Sequence, residues 1–238
     1  MLKEFAQYLA GVKENKTYEI NGDTYSDNNL FRIAPHVDRP EQITVSSLDS
    51  IAKLIKQEID VIAALPVFVR VKDAQTVTVF TTFDEYFERD NLYKAVCDVP
   101  EFREGFRSYE KAIIELRSKF IPNEGTGYLL DLLSRVNKEN GVTTSDNGVT
   151  QTVEARSGVS LKQMVAVKPR VLLQPFRTFL EVGQPESEFL LRINDDGDIG
   201  LFEADGGAWR LSAKDSIAGY LESALAEEIA ASKVVVMK

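Results

Sequence analysis

Cysteine and histidine each occur once in these 238 residues, and that scarcity removes several chemistries at once. A lone Cys97 allows no internal disulfide framework and no cysteine-built zinc site. Within the apolar run Ala95-Val96-Cys97 it reads as a packed side chain, and a reducing compartment fits it. A Ser–His pair would need His36 as its base. That residue lies in the proline-flanked segment Ala34-Pro35-His36-Val37, where hydrogen bonding to backbone is the expected role. No Gly-x-Ser-x-Gly elbow, no Gly-x-x-x-x-Gly-Lys-Ser/Thr loop and no Gly-x-Gly-x-x-Gly turn occurs. No catalytic residue, cofactor or metal is therefore expected. Positive charge is also short. The net charge of −9 argues against nucleic acid as a partner, because lysine and arginine supply most affinity for phosphate backbones. Apolar runs stay well under the ~18–20 residues of a membrane span, and Met1-Leu2-Lys3-Glu4-Phe5 has no signal core. A cytoplasmic protein that does not enter the membrane is expected.

What is present reads as globular, with 44% hydrophobic and 27% charged residues. The chain is expected to form a single α+β domain over residues 1–238, with any sub-boundary in the Gly/Thr/Ser/Asn-rich loop at 141–148. Its periodicities predict an antiparallel or mixed sheet with β-hairpins, packed by amphipathic helices. Helical spacing runs over 2–14, and Asn21-Gly22 supplies a hairpin turn within Lys16–Ala34. Ile43–Val45 is a short strand, after which Ser46 and Asp49 cap a helix with Leu48, Ile51, Leu54, Ile55 and Ile59 on one face. Val67, Val69 and Val71 alternate with polar neighbours and pair with a return strand from Thr76 to Thr82.

Residues 84–140 read as largely helical. One face carries Tyr109, Ala112, Ile113, Leu116 and Phe120 behind Ser108, and a second carries Leu129, Leu132, Leu133 and Val136. From Val142 the period changes to two, with strands expected near 149–156, 166–174, 187–193, 199–203 and 207–211. Ser212 and Asp215 then cap a last helix, and Val234-Val235-Val236-Met237 forms a β-type tail.

Four features could carry function. Between Val159 and Leu180 stand Lys162, Lys168, Arg170 and Arg177 with no acid, a local reversal of sign in an acidic chain. With Phe176 and Trp209 they form a candidate binding surface for a small anion or a partner, set against a strand edge guarded by cations. Arg177, Glu186 and Arg192 are also placed to lock the Gln174-Pro175 and Gln184-Pro185 junctions by ion pairing. Asn194-Asp195-Asp196-Gly197-Asp198 lacks calcium-loop spacing and reads as a hairpin turn. Asp146 ahead of Glu154-Ala155-Arg156 has the outline of a metal-dependent nuclease, with arginine where a proton-sharing lysine is needed. The tail Val234, Val235 and Val236 is a candidate self-association strand, its alternative being a sheet edge of its own subunit.

The wording of the second half is similar to the YfdQ-like family of phage and prophage proteins, a domain of unknown function. Asp146–Val153, Gln174–Phe179, Gln184–Arg192 and Leu201–Trp209 carry the resemblance, with looser similarity at Val45–Leu48 and Ser108–Glu110. The resemblance implies a phage-encoded protein working in the host cytoplasm and transfers no catalytic residue. The leading expectation is a non-enzymatic accessory protein that forms homo-oligomers and binds a host or phage protein. A metal-dependent nuclease or phosphodiesterase and a sponge for a small anionic signal are the alternatives.

Overall fold

The computed structural model describes residues 3–5, 16–26, 39, 41–57, 66–135, 143–146, 151–157 and 161–238, with the backbone alone for 143–146, 154–157 and 161–165. The chain forms an α+β fold, divided into compact units Met1–Arg39 and Pro40–Lys238. In the first unit β1 (Thr17–Ile20) and β2 (Asp23–Ser26) form the expected hairpin. Asn21 at φ 55° and Gly22 at φ 84° give the two left-handed positions that match the strands' twist. The rest of the expected first helix, and His36, lie outside the described residues.

Among the described residues the second unit contains two large cores and a small cluster of Ala74, Trp209 and Ala213. The first lies under a five-stranded sheet built from β3 (Ile43–Val45), β4 (Val67–Asp73), β5 (Thr76–Thr81), β6 (Asn91–Val96) and β14 (Val234–Met237), the other strands being named below. Its order is β14-β4-β5-β6-β3, antiparallel in the middle and parallel at both edges. One face carries Val69, Val71, Val77, Val79 and Ala95 inward, as the alternation requires. Against it pack α1 (Leu48–Lys56) through Leu48 and Ile51, and α4 (Trp209–Ala224) through Ile217 and Leu221.

The second core lies under β7 (Gly105–Arg107), β11 (Arg170–Leu173), β12 (Ser187–Ile193) and β13 (Ile199–Glu203), ordered β11-β12-β13-β7 and antiparallel throughout. Along β12 the residues Ser187, Phe189, Leu191 and Ile193 are buried, the face assigned to them by period two. Helices α2 (Tyr109–Ser118) and α3 (Glu124–Arg135) cover it with Ala112, Leu116, Leu129, Leu132 and Leu133. A third ladder joins β8 (Thr143–Asp146), β9 (Gln151–Ser157) and β10 (Leu161–Val167). Buried Gln151 ties it to β12, donating to the Ile193 carbonyl at 2.6 Å and accepting from its N–H at 2.9 Å. A short helix α5 (Ala226–Ala230) leads into β14.

Several expectations are corrected. The stretch at 84–108 is not helical, because β6 runs there and buries Leu92, Tyr93 and Ala95 in the first core, with a register shift in its pairing to β5. The stretch 141–148 includes β8. The strand expected over 166–174 breaks at Lys168-Pro169 into β10 and β11. Residues 207–211 are a turn entering α4, not a strand. Gly206 at φ 65° and Gly207 at φ 82° break the extended chain, and Asp205 accepts from Gly207 N–H at 2.9 Å and Trp209 N–H at 3.1 Å. The helix therefore starts three residues ahead of Ser212. Its counterpart α1 is capped by Ser47 rather than Ser46, with Ser47 Oγ accepting from Ser50 N–H at 3.2 Å.

Candidate functional site

The connector from Gln174 to Glu186 carries Phe176 and Arg177 of the predicted site, and its geometry follows from two prolines that cannot donate to a ladder. Beside Pro175, the segment 119–121 pairs with the connector: Phe176 N–H donates to Lys119 O at 2.9 Å and Ile121 N–H to Gln174 O at 2.8 Å. Gln184 is buried ahead of Pro185. Its Oε1 accepts from Arg177 N–H at 2.9 Å and Thr178 N–H at 3.1 Å, while its Nε2 donates to the carbonyls of Thr178 and Phe179 at 3.2 and 3.0 Å. Held in that way, the loop reaches in several directions. Phe179 enters the first core, Thr178 Oγ1 donates to Ala74 O at 2.5 Å, and Glu181 Oε1 accepts from Leu48 N–H at 2.7 Å at the start of α1.

Arg177 is only 5% exposed. Its guanidinium donates to Glu203 Oε1 at 3.1 Å, Ser187 Oγ at 2.7 Å and Pro185 O at 2.9 Å, and lies 4.1 Å from the centre of the Trp209 ring. Glu203 Oε2 accepts from Trp209 Nε1 at 3.2 Å. Burial pushes the Arg177 pKa down to about 10, against the pull of Glu203 and Asp205, so the group stays cationic at neutral pH. Arg177 and Trp209 are thus brought together, as a closed structural junction. Arg210 reaches the same ring at 4.9 Å. The Arg177 partners are Glu203, Ser187 and Pro185 rather than Glu186, whose carboxylate accepts from Asn123 instead.

The other basic candidates are dispersed. Arg170 is paired with Glu188 at 2.7 Å, Lys168 lies 4.9 Å over the Tyr128 ring, and Phe176 is half-buried. Lys162 sits opposite Arg156 in the β9–β10 ladder, its side chain outside the described residues. Of that basic run, Arg170 and Arg177 are each paired with a carboxylate, Glu188 and Glu203. The nuclease pair is separated by register, with Asp146 opposite Gln151 and Glu154 opposite Thr143. An odd offset along the ladder puts those positions on opposite faces. Among the described residues no group of three His, Cys, Asp or Glu is placed to hold a metal. Asn194 closes the acidic hairpin turn, accepting from Asp198 N–H at 2.8 Å.

A cleft of about 410 Å³ lies beside α2, lined by Glu101, Arg103, Arg107, Glu115 and Lys119. Its charges answer one another: Arg107 and Lys119 hold Glu115 at 2.8 and 3.0 Å, and Arg103 holds Glu101 at 2.7 Å. Burial opposes ionisation of Glu115, but its hydrogen bonds from Lys119 and Arg107 outweigh that and hold its carboxyl below the usual range.

Among the described residues, one strand edge and one loop are exposed. The tail strand β14 pairs in parallel with β4 of its own chain, Val234 opposite Val67 and only 2% exposed. Val67 N–H donates to Lys233 O at 2.9 Å. In a parallel ladder this turns the backbone of Val235 toward β4 and the N–H and C=O of Val234 and Val236 to the outer edge. No described strand lies on that side.

The second surface, which the helical reading of 84–140 hid, is the β5–β6 loop. Asp84 Oδ1 accepts from the N–H groups of Tyr86 and Glu88 at 2.8 and 2.9 Å. This turn presents Phe87, 80% exposed at φ 60°, beside Phe83, 55% exposed, with ring centres 6.5 Å apart. Arg89 stacks 3.9 Å from the Phe83 ring and also covers the Phe68–Phe80 stack on the sheet's outer face. The signal in the sequence was three rings among acids, Phe83-Asp84-Glu85-Tyr86-Phe87-Glu88, between two alternating runs. Comparison of the chain with family models, with curated proteins and with solved structures finds no match.

Proposed function

We propose that this chain is a non-enzymatic accessory protein, of phage or prophage origin, that self-associates and acts by binding in the host cytoplasm. The similarity of Gln174–Trp209 to the YfdQ-like family supports the origin. The outer edge of β14 carries the self-association. Natural proteins guard such edges with charges, prolines, bulges or short strands, and Val234-Val235-Val236-Met237, four residues between Lys233 and Lys238, carries no charge, proline or bulge within it. Two copies meeting there in antiparallel fashion would continue the sheet across a two-fold axis, an interface that closes at a dimer.

Light scattering on the purified chain tests this reading. Removing the tail is a poor probe, since Val234 belongs to the first core. Val236→Pro is better, because it deletes an outward N–H and leaves the bonds to β4 in place. A dimer that becomes a monomer with Val236→Pro, while circular dichroism stays unchanged, is the expected result. A wild-type monomer at every concentration would remove self-association from the proposal.

A further inference from the structure

The β5–β6 loop holds a large apolar side chain where folding alone does not favour it. A bulky L-residue at φ 60° is strained, and water faces most of the Phe87 ring. Neither feature serves the cores, to which Phe83 and Phe87 do not belong. The turn is nevertheless well made, by the Asp84 carboxylate and by Phe87 N–H donating to Asp84 O at 3.1 Å. A partner would meet the rings already in position and would not have to order them. Phenylalanine and arginine are also both enriched at protein–protein interfaces.

Charge selects the partner. Over residues 82–90 Asp84, Glu85, Glu88 and Asp90 stand against Arg89, and Arg70 adds a second cation over the Phe80 ring, which leaves an acidic excess. That local excess, together with the net charge of −9, opposes nucleic acid and anionic lipid as occupants and favours a cationic groove. Rings spaced among carboxylates complement a groove that is both basic and aromatic. Proteins that hold single strands line a basic channel with aromatic platforms on which bases stack. We propose that this hairpin tip docks in the groove of a single-strand-binding protein, its rings standing in for bases and its carboxylates for phosphates.

The test uses the full chain, fluorescently labelled, and a purified bacterial OB-fold single-strand-DNA-binding protein, read by anisotropy. Saturable binding is expected, weakened by added salt and displaced by oligothymidylate. Phe87→Ala should weaken it by roughly tenfold or more. Phe87→Gly should weaken it as much while its melting temperature is no lower than wild type, because glycine relieves the left-handed position. That combination separates a docking ring from a structural one. Absence of binding by the wild type, equal binding by Phe87→Ala, or failure of oligothymidylate to compete would overturn the proposal. So would retention of oligothymidylate, or of phosphatidylglycerol vesicles, by the chain itself through Phe87.

Discussion

At the scale of single residues, polar side chains rather than apolar ones hold the Gln174–Glu186 connector in shape. Gln184 gives both ends of its amide to the backbone of Arg177, Thr178 and Phe179, doing for a loop what a neighbouring strand does for a sheet. Gln184→Leu keeps the volume and strands those buried groups, so it should cost about 2–4 kcal/mol in urea denaturation. The buried Arg177–Glu203 pair should behave asymmetrically. Glu203→Gln leaves Asp205 as the remaining counter-charge to a buried guanidinium, at up to about 3 kcal/mol, and a double-mutant cycle with Arg177→Met should recover part of that loss. Cys97 is half-buried, and burial raises its thiol pKa to about 11. It should therefore react with thiol reagents at pH 7 far more slowly than an unhindered cysteine, and rapid labelling of the folded chain would contradict that burial.

At the scale of elements, close approach sets the geometry of α3 on its sheet. A Cβ on Gly125 would stand 2.0 Å from the Leu172 carbonyl oxygen in β11. Alanine has the better helix propensity, by about 1 kcal/mol, yet Gly125→Ala should destabilise by about 1–3 kcal/mol, because backbone cannot step aside. A higher melting temperature for that variant would mean α3 is free to shift. Elements with a complete local signal were legible in the sequence. Alternation along β4, β5 and β12, the Asn21-Gly22 turn and the apolar faces of α2 and α3 each follow from nearest neighbours. Elements whose ends are set by side chains outside them were not. The start of α4 is set by Asp205 reaching across two glycines, and α1 takes part of its cap from Glu181, far along the chain. The site was less legible still. Counting charge along Lys162–Arg177 showed sign but not burial, so it could not tell the enclosed Arg177 from the exposed Arg170.

At the scale of the whole molecule, ionisation links the second core to pH. Glu115 titrates below its ordinary 4.5, so its contribution is fully present above that value and is lost as pH falls through the lower folded-state value. The stability gap between wild type and Glu115→Gln should therefore close on acidification below about pH 4.5. A gap independent of pH would assign the difference to packing. The parallel pairing of β14 with β4 reaches further than the native structure, into the order of synthesis. Strands β4, β5 and β6 leave the ribosome early as an apolar hairpin set, while the helix and strand that complete their core are still untranslated. Such late, non-local closure folds slowly and leaves surface open to aggregation in the meantime. This core is thus expected to close only once Ile217 and Val234 have cleared the ribosome, and nascent chains stalled before Ile217 should be captured by chaperones or cleaved by protease, where the folded chain resists both.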